Sequence, residues 1–377
     1  MLKHSNSLLL FVALSFVISI DVTNGQEAAG KPRWTKEKAT EWYAELPWLV
    51  GCNFLPSTAI NQLEMWQADT FDPETIDREL GWAAAIGCNT MRVFLHDICW
   101  QEDRDGFFQR IDQYLAIADK HKIRTMFVIF DGVWDPDPKA GLQREPKPGV
   151  HNSGWVQSPG RAILEDENRV AELQPYVADL LKKYGNDKRV LVWDVFNEPD
   201  NPNAGSYGSR ELQNKDELAA KLVKLSFAWA RQVDPEQPLT VGLWRGPAWD
   251  QTNELNLVHK AALDESDVIS FHDYGDPNSM KSRIAQLKGL GRPLFCTEFM
   301  ARGNGSTFEA ILPILKEEKV AAYCWGLVDG KSQTKYPWTT WEKPISGEPS
   351  PWHHDIFHAD GTPYAQQEVD TIKSMTQ

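Results

Sequence analysis

The sequence predicts a single α/β domain of the (β/α)8 TIM-barrel type, and three observations lead there. Eight short apolar runs recur between Trp48 and Asp329, and several of the stretches between them carry apolar residues at three- and four-residue intervals. The runs are continuously apolar instead of alternating, as a parallel sheet covered on both faces requires. An open nucleotide-binding sheet would carry a phosphate-cradling glycine loop after an early strand, and neither G-x-G-x-x-G nor G-x-x-x-x-G-K-[ST] occurs.

The first element precedes the barrel. Met1 to His4 gives a short basic start, Leu8 to Ile20 an apolar stretch too short to span a bilayer comfortably, and Thr23-Asn24-Gly25 a small polar end. That is the pattern of a secretory signal over residues 1–25, so a secreted or periplasmic location is expected, with residues 26–377 as the catalytic domain. After a lead-in from Lys31 to Pro47, the expected strands are Trp48–Leu55, Thr90–Asp97, Arg124–Asp131, Val190–Glu198, Leu239–Trp244, Val268–Tyr274, Pro293–Met300 and Ala321–Asp329. Helical spacing marks Phe107–Lys122, Arg169–Gly185, Asp216–Gln232 and Ala365–Met375. Two segments rich in Pro, Trp and His, Gly132–Glu167 and Lys331–Thr362, interrupt the alternation. Each follows a strand, so in a barrel both belong to the rim where loops build the substrate cleft.

Charge narrows the function. With 53 acidic against 39 basic residues and a net charge of −14, nucleic acid and anionic membrane surfaces are poor partners. No second apolar run approaches spanning length, so no membrane association is expected once the signal is removed. Sixteen tryptophans are many for 377 residues. Most belong in the core, but indole faces also match the C–H face of a pyranose. The five cysteines show no C-x-x-C and no zinc-like spacing, and read as buried thiols rather than a disulfide framework. His353-His354 beside Trp352 lacks a third ligand at recognisable spacing and reads as part of the cleft rim. Neither a metal nor a cofactor is expected, and nothing in the sequence fixes the oligomeric state.

The chemistry lies where apolar runs end in charge. In a barrel the carboxyl end of each strand faces the active site. Val190–Glu198 ends in Asn197-Glu198, Pro293–Met300 carries Glu298, and Val268–Tyr274 offers His272 and Tyr274. Arg92 sits inside a strand that has no other reason to bury a charge, and a buried ion requires partners. Arg92 and Glu298 are expected to pair, with Tyr274 donating to the same carboxylate; such contacts favour the ionised form and make Glu298 a nucleophile. Glu198, more desolvated and less paired, would keep its proton near neutral pH and act as general acid. Two glutamates in opposed environments are the machinery of glycosidic bond cleavage.

The order Arg92, Asn197-Glu198-Pro199, His272-x-Tyr274, Glu298 and Trp325 resembles the (β/α)8 retaining glycoside hydrolases of the clan that contains glycoside hydrolase family 5, the cellulase-like family. The similarity runs from about Gly51 to Asp329. It implies Glu198 as acid/base, Glu298 as nucleophile, Asn197 on the sugar 2-hydroxyl and Trp325 as a sugar platform. Many members carry a His shortly after the Asp that ends strand three, whereas Val133 and Trp134 follow Asp131 here; His96 and His151 are the candidates to compensate. The resemblance implies a secreted retaining β-glycoside hydrolase acting on a β-linked oligo- or polysaccharide of mannan, glucan or xylan type.

Lone glutamates at strand ends are often structural, as caps or ion-pair partners, and His272 could be an ordinary satisfied core histidine. Asp97 and Asp131 also end strands and are candidate substrate contacts. A non-catalytic carbohydrate-binding barrel would keep the tryptophans and lose a glutamate; a transglycosylase of the same clan would differ only in how water is kept from the intermediate. The aromatic rim could extend the cleft for an endo-acting enzyme or wall it off for an exo-acting one, and the sequence leaves that choice open.

Overall fold

The computed structural model of the chain describes residue 1, residues 31–246 and residues 248–376. The expected signal segment, apart from Met1, lies outside the described residues. Eight strands, all parallel, form one sheet: β1 (Val50–Asn53), β2 (Thr90–Phe94), β3 (Arg124–Val128), β4 (Val190–Asp194), β5 (Leu239–Thr240), β6 (Ile269–His272), β7 (Leu294–Phe299) and β8 (Ala321–Trp325). Their order is β5-β4-β3-β2-β1-β8-β7-β6. The remaining gap, between β5 and β6, is bridged at Leu243 and Phe271, where the Leu243 amide donates to the Ser270 carbonyl at 3.0 Å and the His272 amide to the Leu243 carbonyl at 2.7 Å. The fold is the (β/α)8 barrel that the sequence predicts.

Each strand falls inside its predicted run but is shorter, because the runs continue past the last ladder bond into the segments that carry the site. The helices also follow the pattern. The predicted Phe107–Lys122 overlaps a helix over Arg104–Lys120 that ends two residues sooner, Asp216–Gln232 lies within Lys215–Val233, and Ala365–Met375 matches Gln366–Thr376. The predicted Arg169–Gly185 helix is instead two helices, Glu167–Ala171 and Gln174–Tyr184, divided just before Pro175. A proline lacks the amide that would continue the first helix and fits the opening turn of the second. Among the described residues, no helix is long and apolar enough to cross a membrane.

The lead-in closes the end of the barrel opposite the catalytic strand ends. A helix over Lys36–Ala44 brings Trp34 and Ala39 against Met126, Leu191, Phe295 and Tyr323, which fill that end of the barrel with apolar side chains. The interior is therefore a packed core whose open face is at the carboxyl ends of the strands. All five cysteines are buried and unpaired.

Candidate active site

β4 ends at Asp194, and the chain runs on through Val195, Phe196 and Asn197 to Glu198, where φ is +39°. Left-handed backbone is uncommon for a residue with a Cβ and persists where surrounding contacts hold it. Here the Asn197 amide donates to the Phe130 carbonyl at 2.9 Å and the Gly132 amide to the Asn197 carbonyl at 2.8 Å. A Cβ at Gly132 would collide with the Glu198 carbonyl, so the exit from β3 needs a glycine for this turn to close.

The turn directs the Glu198 carboxyl into the cleft. Its Oε1 lies 2.8 Å from His272 Nδ1, and its Oε2 accepts from Asn201 Nδ2 at 2.6 Å. Neither neighbour is a cation, and burial pushes the Glu198 carboxyl up to about 7. Burial also pushes His272 down to about 4, so its ring is neutral at neutral pH. His272 Nε2 is buried without a partner, which favours the tautomer with the proton on Nδ1, where it can donate to a carboxylate.

Glu298 is held differently. Its Oε1 accepts from an Arg92 terminal nitrogen at 2.8 Å, its Oε2 accepts from the Tyr274 hydroxyl at 2.7 Å, and His272 Nδ1 is 3.5 Å from Oε2. These contacts favour the ionised form, as expected, but they do not set the net shift. Burial raises the Glu298 carboxyl and the Glu198 charge raises it further, against the opposing pull of His272, Arg92 and Tyr274. Both glutamates are therefore raised, and they differ in which one receives charged and hydroxyl donors.

Arg92 organises the floor. Fully buried, it donates to Asp194 at 2.8 and 3.1 Å, to Asn53 Oδ1 at 2.8 Å, to Asn197 Oδ1 at 2.7 Å and to Glu298 at 2.8 Å. The planar fork thus locks the side chains of β1, β4 and β7 into one network, a use of arginine that lysine could not match. Asn197 passes the network on, its Nδ2 donating to Asp131 Oδ1 at 3.0 Å. Asp131 Oδ2 accepts from Gln62 Nε2 at 2.9 Å and from Trp155 Nε1 at 2.5 Å. Asp131 is buried, and this desolvation pushes it up to about 7.

These groups floor a cleft of about 490 Å³, with Trp325 at the end of β8 and with Trp134, Trp155, Trp244 and Trp338 on its sides. One atom each of Glu198, His272 and Glu298 lie within 4.8 Å of one another. The carboxylate oxygens are already engaged by Arg92, Tyr274, Asn201 and His272.

The sequence-predicted residues Arg92, Asn197, Glu198, His272, Tyr274, Glu298 and Trp325 all meet at this end of the barrel. Of the two histidines considered in place of the missing strand-three His, His96 is buried at the start of the helix Asp97–Glu102, where its ring accepts from the Ile98 amide. His151 lines the cleft, with Nδ1 2.7 Å from the Tyr336 carbonyl oxygen. Asp97 is likewise internal, accepting from Ser158 Oγ at 2.7 Å. His353 and His354 are not rim residues: both are buried, packed behind Trp338 and Tyr274. Four contributors were not singled out from sequence: Asn53, Asp194, Asn201 and Trp155. Asp194 had a legible signal, since a carboxylate inside "VLVWDVF" must answer a buried cation such as Arg92. Trp155 had none.

The profile of the cellulase family, glycosyl hydrolase family 5, matches residues 73–343. The chain belongs to glycosyl hydrolase family 5. A mannan endo-1,4-β-mannosidase A of Emericella nidulans is 22% identical to this family 5 chain over 217 residues, which is 55% of this chain and 51% of the relative. The chain thus matches about half the length of that protein. Among solved structures, an endo-1,4-β-mannanase from Rhizomucor miehei aligns with TM-score 0.56 and 14% identity over 92% of this chain and 98% of that one. A β-1,4-mannanase from the sea hare Aplysia kurodai aligns with TM-score 0.54 and 15% identity, covering 80% and 95%. An exo-β-1,4-mannosidase from an Opitutaceae bacterium aligns with TM-score 0.57 and 17% identity, covering 87% and 59%. At these identities the structural likeness concerns the fold.

Proposed function

We propose that this family 5 protein is an exported β-glycoside hydrolase that cleaves a β-linked glycan of the mannan, glucan or xylan type with retention of configuration. The observation that carries the reading is the pair of glutamates facing one cleft with oxygens within 4.8 Å of the same His272 nitrogen and of each other. One oxygen of each glutamate within that limit fits the ~5–5.5 Å carboxyl separation of retaining enzymes better than the ~6.5–9.5 Å of inverting ones.

Burial raises both carboxyls, Glu198 to about 7, and their surroundings decide which one holds a proton. Arg92 and the Tyr274 hydroxyl both donate to Glu298, whereas Glu198 faces a neutral His272 and an amide. The anion therefore resides on Glu298 and the proton on Glu198. Glu298 attacks the anomeric carbon, the glycosidic C–O bond breaks, and Glu198 gives its proton to the departing oxygen. Glu198, now a carboxylate, takes a proton from water as that water displaces Glu298 from the glycosyl ester. Asn197, fixed between Arg92 and Asp131, presents its amide beside the reacting carbon, and Trp325 supplies an apolar face for the sugar. Export rests on the Met1–Gly25 pattern, and the names of the relatives make β-1,4-mannan the first polymer to try.

The test is hydrolysis of a panel of aryl β-glycosides and β-linked polysaccharides by wild type, Glu298→Ala and Glu198→Ala. Activity lost in Glu298→Ala and restored by azide as a glycosyl azide of inverted configuration supports the reading. A Glu298→Ala enzyme as active as wild type removes Glu298 from the mechanism.

A further inference from the structure

The two long rim segments, of opposite origin in the chain, are fastened to each other. The Gly149 amide donates to Gln333 Oε1 at 3.1 Å, Gln333 Nε2 donates back to the Lys147 carbonyl at 2.8 Å, and the Ile345 amide donates to the Gly149 carbonyl at 3.1 Å. The His151 amide donates to Thr340 Oγ1 at 2.9 Å, and Trp134 stacks on Trp341 with ring centroids 5.4 Å apart. The segment after β1 joins them, with Asn61 Nδ2 donating to the Gly154 carbonyl at 2.9 Å and Lys331 Nζ 2.8 Å from Glu64 Oε1. Backbone amides and carbonyls make several of these bonds, so the junction is built into the fold.

The junction seats Trp155 directly behind the catalytic floor. Its ring centroid is 5.8 Å from that of Trp325 and 5.2 Å from that of Phe94, and its indole N–H is anchored on Asp131, whose other oxygen holds Asn197. Only one carboxylate thus separates Trp155 from the residue preceding the acid. Beyond the Trp155–Trp325 pair there is a void of only about 20 Å³, ending on Leu55, Leu327 and Asp355. Trp155 is 3% and His151 1% exposed even with the cleft empty. Trp325 is itself half-exposed, as are Trp244 and Gly275 on the opposite side, where Asn304 is exposed.

The acid fixes which end is which. Glu198 must face the departing oxygen, and its carboxyl is held by Asn201 and His272, while the cleft residue Trp244 is bonded to Asp200, two residues further along the same loop. The glycone then lies against the Trp155–Trp325 wall. We propose that this wall makes the cleft a blind pocket for one terminal sugar, so that the protein acts from the non-reducing end of a β-linked glycan and releases its residues singly, with Trp155 as the residue that sets this mode. This rests on the glycosidase reading above and goes beyond it.

The experiment uses borohydride-reduced manno-, cello- and xylo-oligosaccharides, from tri- to hexasaccharide, together with the aryl β-glycosides and a soluble β-mannan followed by viscometry. The expected result is a monosaccharide as the sole early product, a reduced fragment shortened by one residue at a time, and unchanged viscosity during the first few per cent of hydrolysis. Internal cleavage, with a ladder of reduced fragments and rapid loss of viscosity, overturns the blind pocket while leaving the glycosidase reading standing. Failure to cleave any glycoside overturns both. Trp155→Ala sharpens the test: early disaccharide release or internal cuts are expected, while a product pattern identical to wild type removes Trp155 from the role. The wild-type products decide the mode of action even if that variant fails to fold.

Discussion

The floor and the rim of the barrel mouth are built from different materials. On the floor, polar side chains at strand ends are held to one another by hydrogen bonds, with Arg92 alone making five. On the rim, aromatic rings lean on one another: Trp134 on Trp341, Trp338 on Tyr274, and Trp155 on Trp325 and Phe94. A polar network held at fixed distances can tune charge and direct protons, and an aromatic surface can select a ligand by shape. The difference assigns chemistry to the floor and substrate selection to the rim. Tyr274 joins the two, donating to Glu298 while its ring packs edge-on against Trp338 at 5.0 Å.

Changes on the floor should act on rate and changes on the rim on binding, in descending size. Glu298→Ala is expected to lower kcat for aryl β-glycosides by ~10⁴-fold or more, since it removes the carboxylate proposed as the nucleophile. A thermal melt within a few degrees of wild type would show that chemistry and not folding is lost. Glu198→Ala should cost ~10²–10⁴-fold on unactivated glycans and much less on a dinitrophenyl glycoside, whose leaving group needs no proton. In wild type, kcat/KM should fall as pH rises past about 7, where Glu198 loses its proton, and this limb should be missing from the variant's profile with the activated substrate.

The same residue links function to stability. Glu198 titrates near 7 in the folded chain against an ordinary 4.5, so between these values the folded state binds more protons than the unfolded one. The contribution of Glu198 to stability is therefore fully present below pH 4.5 and is lost as pH rises through about 7. Glu198→Gln should stabilise the protein at pH 8 by up to about 3 kcal/mol and have little effect at pH 4, measured by denaturant unfolding at both pH values. Equal effects at the two would mean that Glu198 is not strained by burial.

Tyr274→Phe removes one hydrogen bond to a charged group, worth about 1.5–3 kcal/mol, so a ~10- to 100-fold fall in kcat is expected, with KM little changed. Trp134→Ala should give the smallest change, a ~2- to 10-fold rise in KM for oligosaccharides with kcat nearly constant. A rim variant that lowers kcat as deeply as Tyr274→Phe would erase the division between rim and floor.

Part of this site was legible before any coordinates. Arg92, Glu198 and Glu298 stand out because a charge closing or interrupting an apolar run must have a reason to be buried. Where such charges sit at strand ends, a parallel barrel brings them to one face. The split of Arg169–Gly185 into two helices was written in Pro175, although periodicity alone ran across it. The direction of the Glu298 shift could not be read this way. Its partners were recognisable, but the balance between them and burial depends on how completely the cleft excludes water and how near Glu198 approaches. Asn201 and Trp155 were hidden for a related reason, since an amide or indole in an irregular segment carries no periodic signal.

The sequence by itself determined the barrel, because eight buried parallel strands need eight continuous apolar runs, and it determined which residues lie at their ends. Tertiary structure decided what surrounds those ends. The left-handed turn at Glu198, the closeness of Gly132 beneath it and the junction of the segments after β1, β3 and β8 depend on residues far apart in the chain meeting at ångström distances. Local pattern encodes which face of an element is buried; how two irregular loops fasten together is set by the particular hydrogen bonds and ring contacts that form once the barrel has brought them side by side.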